Sequence, residues 1–573
     1  MCFDIDVFGG ADLLLFSDGD IQMLRKWSTL KKSSFIEGTF IATLAIVIVK
    51  IMGMLYVIPF YAIVGTTGAA LYSYAYNIYN IFLDISTVGL PIAISKITNE
   101  FHTLKMYDAK KRAYDIAIKI MRFISVGIFI ILFIFAYPIA SFIIGDLTGG
   151  NTREAITLVI RTVSLAILVI PYLSVAKGYL QGHNVINISS ISNVLEQVIR
   201  ILIIIVGSFL AIKVFHLSYV YGVVIALSGA FFGGLVSYFY VKHKMNKNKK
   251  ELGLVSTKKK DKITDKEITK KLASYAIPYI IINSVSSLYS FIDMILVLRG
   301  LEALGYATRE IEFISSSIST WAGKINMIVI SIAMGMTISL IPSIVHAYTL
   351  KKWDDVNNKI NTSFKIIAFV SLPMAIGLSI LSQEVWQVFY GASEMGASIL
   401  SVSVFVACSL NFYMITSSIM QSLNKYKVVY IATICGLLSN AILDIPLMYL
   451  FKFIGIKPYL GPLVSSIIGY ILSVFINLRA IKKEEKKINY SEAIKTILLI
   501  LVPALTMMVI LVALRTLLPM ATPTRLRAIL SIIIYAVVGC IIYLGIAYKM
   551  GLLERVFGKE LLTKILKKLK LKV

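Results

Sequence analysis

Charge is scarce in this sequence. Only 15% of the 573 residues are Asp, Glu, Lys or Arg, against about 25% in a soluble domain. Cysteine is scarcer still. Cys2, Cys408, Cys435 and Cys540 share no close spacing, so neither a metal site nor a disulfide framework is implied; the last three lie in apolar runs and read as small core residues. No Gly-x-x-x-x-Gly-Lys loop occurs, which argues against an ATP-driven pump within this chain. What the sequence has instead is apolar length: 58% of its residues are hydrophobic. They gather into repeated stretches of about 20 residues, the length that a helix needs to cross a hydrocarbon core of ~30 Å. The net charge of +26 could suggest nucleic acid. The lysines, however, sit in joints between apolar runs and at the tail, where anionic headgroups are the nearer partner. The expectation is bilayer lipid and no nucleic acid.

The first 22 residues carry Asp4, Asp6, Asp12, Asp18 and Asp20 and no basic residue, the reverse of a signal peptide's n-region. Met23, followed by Arg25, Lys26, Lys31 and Lys32, is the alternative start, and 1–34 reads as a cytoplasmic segment. Hydropathy places about fourteen spans, near 35–60, 69–94, 116–144, 155–177, 184–211, 217–241, 272–298, 321–344, 364–384, 396–421, 427–450, 459–478, 496–518 and 527–549. The fold class is thus an all-α polytopic membrane protein. Alternate joints are basic: Lys105, Lys110, Lys111 and Arg112; the stretch 242–271; Lys351 and Lys352; Lys425 and Lys427; Lys482, Lys483, Lys486 and Lys487. The joints at 65–70 and 383–397 contain no Lys or Arg. The positive-inside rule then puts both termini in the cytoplasm. The stretch 242–271 reads as a solvated, mobile linker, and the tail 550–573, with Leu552, Val556, Leu562, Ile565, Leu566 and Leu569 among lysines, as a basic amphipathic helix on the inner leaflet.

The two sides of the linker repeat each other. Tyr107-Asp108, a helix and Ile144-Gly145 recur as Trp353-Asp354, a helix and Tyr390-Gly391; Leu90-Pro91 ends the second span and Ile341-Pro342 the eighth. Gln181-Gly182-His183-Asn184 matches Gln421-Ser422-Leu423-Asn424, and Tyr221-Gly222 matches Leu460-Gly461. This predicts two parallel six-helix bundles, 35–241 and 272–478, around a central cavity, with two extra spans over 479–549.

Gly65-Thr66-Thr67-Gly68-Ala69-Ala70-Leu71-Tyr72, followed by Gly89-Leu90-Pro91-Ile92-Ala93-Ile94-Ser95-Lys96, resembles the first hairpin of the polysaccharide-transporter branch of the MOP (multidrug, oligosaccharidyl-lipid, polysaccharide) exporter superfamily. Within it, the chain is similar to MurJ-like lipid II flippases and the stage V sporulation protein B group over roughly 33–550. The resemblance implies a transporter and not an enzyme. It would export an undecaprenyl-pyrophosphate-linked glycan across the bacterial cytoplasmic membrane by alternating access. It would need no cofactor, driven by the membrane potential or a Na+ or H+ gradient, and could work beside the cell-wall synthesis machinery.

Ionisable groups inside spans each cost about 2.5–3.5 kcal/mol at mid-helix, so each needs a reason. Lys50, near the centre of the first span, is the leading substrate contact; the superfamily branch usually carries Arg there, and Lys keeps the charge while losing the planar fork. Its alternative is snorkelling or a pair with Asp84. Arg161 and Arg200 are the next substrate candidates, although Glu196 and Arg200, four apart, also suit an intrahelical pair. By the repeat, Asn440 and Asp444 stand where Glu196 and Arg200 stand, so Arg200 and Asp444 could meet across the cavity as a gate. Asp84 and Asp444 could instead serve a coupling cation. Lys324 and Asp293 read as reaching the interface. The competing function is a cation-coupled multidrug exporter, whose cationic substrates call for a cavity led by carboxylates. A membrane glycosyltransferase would want acid–base residues in a sizeable outer loop, but the longest, 299–320, offers Glu302, Glu310 and Glu312 and no His.

Overall fold

The computed structural model describes residues 45, 47–255, 261–484, 488–517 and 524–558. Among them every regular element is helical, as the long apolar runs require: in lipid, a helix satisfies each backbone N–H and C=O within its own segment. Among the described residues twelve helices are long and apolar enough to cross a bilayer, or thirteen if the bent pair Asp265–Ile282 with Val285–Ala303, at 44°, is one span. The first of these runs, Val47–Asp84, contains Gly65 at φ 69°, ψ −175°. Tyr56 and Tyr72 bring their hydroxyls within 3.5 Å, and the Phe60 and Tyr72 rings lie 5.0 Å apart. Twelve residues of unbroken helix would separate Phe60 from Tyr72 by about 18 Å. The chain therefore folds back at Gly65, whose positive φ other residues resist. This run holds two arms joined at Gly65.

The second arm does not stop at Asp84. It widens into a π-turn over Ile85–Gly89 and continues as Leu90–Thr103. Pro91, with no N–H for the preceding turn, follows directly on that widening. Further π-turns lie at Ile203–Gly207, Leu210–Val214 and Ser317–Trp321.

The linker departs from expectation. Its described residues dock on the first bundle. The Tyr179 hydroxyl donates to the Leu252 carbonyl at 2.8 Å, and the Ala109 N–H to the Asp261 carboxylate at 2.9 Å. Arg112 binds Asp108 and Asp265 at 2.8 Å each and the Ile263 carbonyl at 2.8 Å. Leu252 and Ile268 are buried beneath it. Sparse apolar residues among the lysines anchor the segment, which a composition-based reading averages away. Residues 256–260 lie outside the described residues.

The two C-terminal helices, Ser491–Leu517 and Arg525–Lys549, are tied to the second half through Tyr543, whose hydroxyl donates to the Phe369 carbonyl at 2.7 Å, and through Arg515, which pairs with Glu384 at 2.9 Å. The tail begins as a helix, Leu552–Phe557, but Leu552 and Val556 are buried in the protein and Phe557 packs on Phe369 at 5.5 Å. The face expected on the leaflet is, over this turn, a protein contact. Residues 559–573, and the proposed start at Met23, lie outside the described residues.

Candidate functional site

The fifth span, described as Ile186–Val214, carries the best-formed polar cluster at membrane depth. Glu196 accepts from Lys177 at 3.1 Å and from Arg200 at 2.9 Å, and Lys177 also donates to Asn193 at 2.8 Å. The sixth span fixes this segment in place. A Cβ on Gly233 would lie 2.6 Å from the Glu196 carbonyl, and one on Gly229 would lie 2.9 Å from that of Arg200, so glycine is what lets the two backbones approach. The first span lies close by: a Cβ on Gly53 would sit 3.4 Å from Gln197 Nε2. One turn earlier on that face, the half-buried Lys50 extends to Met334 Sδ, 3.0 Å away in the second half. From the same second-half helix, Ala322–Thr349, the buried Lys324 donates to the Tyr76 hydroxyl at 2.7 Å and lies 4.1 Å from the Tyr76 ring centre. Arg200 and Lys324 are within electrostatic reach of each other.

Lys50, Lys177, Arg200 and Lys324 thus stand against the single carboxylate of Glu196, a formal surplus of three positive charges (four minus one). Among the described residues neither Lys50 nor Lys324 has an ion-pair partner. Cations so placed could hold an anion. Toward the linker side, a cavity of roughly 500 Å³ opens beside Ile92, Ser95, Lys96, Asn99, Glu100 and Gln181.

The expected residues are only partly brought together. Lys50 and Arg200 face the region between the halves, with Glu196 beside Arg200. Arg161 does not join them: it is exposed, donates to the Phe133 carbonyl at 3.1 Å and covers the Phe133 ring. Asp84 does not pair with Lys50; it accepts from Ser287 at 2.5 Å, beside the π-turn. Nor do Arg200 and Asp444 meet. Each is taken by a residue one turn away on its own helix, Glu196 for Arg200 and Asn440 for Asp444.

Asp444 belongs to a second cluster. The Asn440 amide nitrogen, with two N–H groups to donate, lies within hydrogen-bond reach of Asp293 at 3.0 Å, Asp444 at 3.1 Å, and Ser465 and Ser466 at 3.0 and 3.1 Å. Ser466 donates to Asp293 at 3.1 Å and Ser465 donates to Asp444. Asp293 and Asp444 are both buried, so Asp293 does not reach the interface as its sequence position suggested. No Lys or Arg enters the network among the described residues. Two carboxyls in such a place require a shared proton or a bound cation. The donor set of carboxylate, amide and hydroxyl oxygens suits either, and Asp444 Oδ2 and Asn440 Oδ1 have no hydrogen-bond partner among the described residues.

The family described as polysaccharide biosynthesis protein matches residues 35–330, and the MatE family matches residues 278–445. A Bacillus subtilis (strain 168) protein named lipid II flippase MurJ is 30% identical over 543 residues, covering 92% of this chain and 98% of its own length. The chain belongs to the MOP exporter superfamily. Stage V sporulation protein B of the same organism is a more distant relative, 23% identical over 469 residues, 79% of this chain and 85% of its own. Among solved superfamily structures, a lipid II flippase MurJ in an inward closed conformation aligns with a TM-score of 0.62 at 17% identity, covering 89% of this chain and 99% of that one. An inward-facing multidrug resistance MATE transporter aligns at 0.61 with 16% identity, covering 76% and 96%. Both share the fold. On that fold, sequence reasoning passed over Lys177 and misplaced Lys324 and Asp293. The signal for Lys177 was available: it lies one turn before Gln181, on a helix that continues to Gly182.

Proposed function

We propose that this chain is a flippase that carries a lipid-linked, pyrophosphate-headed cell-wall precursor from the inner to the outer leaflet of the bacterial cytoplasmic membrane by alternating access. The surplus of three positive charges among Lys50, Lys177, Arg200, Lys324 and Glu196 is the observation that carries this reading. A pyrophosphate bears about two negative charges, and in a low-dielectric site such a belt attracts it while repelling the cations that a multidrug exporter would carry. The names of the relatives support the lipid-linked class. The lysine distribution supports cytoplasmic termini, and hence a linker side that faces the cytoplasm.

In this cycle the head enters from the linker side, Lys50 and Lys324 close on it from the two halves, and Glu196 holds Lys177 and Arg200 in register. The Asp293–Asn440–Asp444 network is the coupling site, taking a proton or a monovalent cation, with the membrane potential drawing the emptied positive cavity back inward. Depletion of the protein tests the function. A polyprenyl-pyrophosphate-linked intermediate should build up on the cytoplasmic side. Unchanged pools of such lipids, together with new sensitivity to cationic drugs, would favour the multidrug reading instead.

A further inference from the structure

Glu312 has no part in the belt or in the coupling network, yet it is a carboxylate only 2% exposed. It lies in Thr308–Ser316, at the end of the molecule opposite the linker. All of its described donors come from the other half of the chain. The Asn151 backbone N–H reaches it at 2.8 Å, the Asn151 side-chain amide at 3.0 Å and the Tyr74 hydroxyl at 3.3 Å. The neighbouring contacts run the same way. Thr308 donates to the Thr148 carbonyl at 2.7 Å, and Arg299 donates to the Phe142 and Ile144 carbonyls at 2.6 and 3.4 Å. The segment 299–312 of the second half therefore grips the end of the third span and the 145–152 loop of the first half. The fit leaves no slack: a Cβ on Gly150 would fall 2.7 Å from the Glu312 carboxyl carbon, and one on Gly145 would overlap the Arg299 guanidinium.

The internal repeat places a counterpart across the same face. The joint at Gly65 is equivalent to 299–312, and the joint at Gly391 to the 145–152 loop. There the contact is aromatic, with Tyr61 4.9 Å from Tyr390 and 5.4 Å from Trp321. One side of the closed face is thus held by rings, whose apolar burial depends on no particular hydrogen-bond donor. The other is held by a buried carboxylate, which gains its stability only while its donors stay in place. We infer that Glu312 is the releasable catch of the gate on the face opposite the linker, closing onto Asn151 and Tyr74 and letting go when the halves part. This rests on the alternating-access reading above.

The test uses the full chain with its four cysteines replaced by serine and two single-cysteine reporters. Ser73→Cys lies buried between the halves beneath the gate, where Ser73 is 2.6 Å from Thr320. Thr337→Cys lies one turn below Met334 toward the linker side. Glu312→Gln keeps the shape but sets an N–H against the Asn151 donors. It should speed labelling of Ser73→Cys by an impermeant thiol reagent about tenfold and slow that of Thr337→Cys. Asn151→Ala should act alike, and the double variant should go no further than either single one. Unchanged Ser73→Cys labelling in both variants overturns the catch, as does faster labelling of both reporters, which marks a loosened fold. Reciprocal labelling with unchanged lipid-linked precursor pools on depletion would leave the catch standing and remove the proposed substrate.

Discussion

Lys324→Met removes a belt cation that rests on a neutral partner, the Tyr76 hydroxyl. Burying an ammonium at mid-span costs about 2.5–3.5 kcal/mol on insertion scales. The hydrogen bond from a charged donor to Tyr76, 2.7 Å long, offsets about 1.5–3 kcal/mol of that. The contact with the Tyr76 ring at 4.1 Å contributes about 1 kcal/mol, while Arg200 acts against both by like-charge repulsion. These terms nearly cancel, so the thermal midpoint of the purified variant should be unchanged or slightly raised. Transport should not be spared. Losing one charge-assisted contact of about 1.5–3 kcal/mol to an anionic head lowers the rate at limiting substrate by about 10- to 150-fold. Lys324→Arg, which keeps the charge, should recover part of it. The two measurements belong together: a thermal unfolding scan and a lipid-flipping assay on the same preparation. Intact transport in Lys324→Met would refute the reasoning. So would a transport loss that merely follows a collapsed midpoint.

Lys50→Ala should abolish complementation while inserting normally, because removing a mid-span charge eases insertion by about 2.5–3.5 kcal/mol; Lys50→Arg should complement, and an active Lys50→Ala would take Lys50 out of the site. Arg161→Ala should leave flipping within about twofold of wild type, as expected of an exposed side chain resting on Phe133; a loss of ten times that size would return it to the substrate path. Asp444→Asn and Asp293→Asn should each flatten the response of transport to an imposed Na+ or H+ gradient, measured in vesicles at fixed membrane potential; an unaltered response would move coupling elsewhere. Glu196→Gln strands Lys177 and Arg200 without their shared carboxylate. It should lower the thermal midpoint, though by less than the about 3–5 kcal/mol that breaking a fully buried pair costs, because the three side chains are only partly buried; a midpoint equal to that of wild type would mean that the two cations find other partners.

The fold was largely legible, because the lengths of the apolar runs and the placement of lysines are direct consequences of the bilayer. The hairpin at Gly65 and the pair Leu90-Pro91 could be read as punctuation, but the π-turns that follow from such positions could not. The site was legible in its charge and much less in its geometry. Lys324 read as close to an end because the apolar run begins near 321; the helix actually begins with the polar turn Thr308–Ser316, which puts Lys324 about 24 Å along it, at 1.5 Å per residue. Asp293 was misjudged for the same reason, since its helix runs on to Ala303. Arg161 shows another limit: hydropathy locates a residue in depth but not on a face, and its neighbours Leu158 and Phe133 are themselves exposed. The Arg200–Asp444 pairing failed because repeat symmetry relates positions without bringing them together, and a partner one turn away is always nearer.

If the belt recognises an anionic lipid head, the charge of the head decides which lipids cross. Reconstituted vesicles loaded with a fluorescent polyprenyl pyrophosphate, or with the same lipid bearing an uncharged head, measure it directly through an impermeant quencher. The pyrophosphate lipid should cross in the presence of the protein, about tenfold more slowly with Lys50→Ala, and the uncharged lipid no faster than in empty vesicles. Equal crossing of both lipids, or crossing of the pyrophosphate lipid unaffected by Lys50→Ala and Lys324→Met, would contradict it.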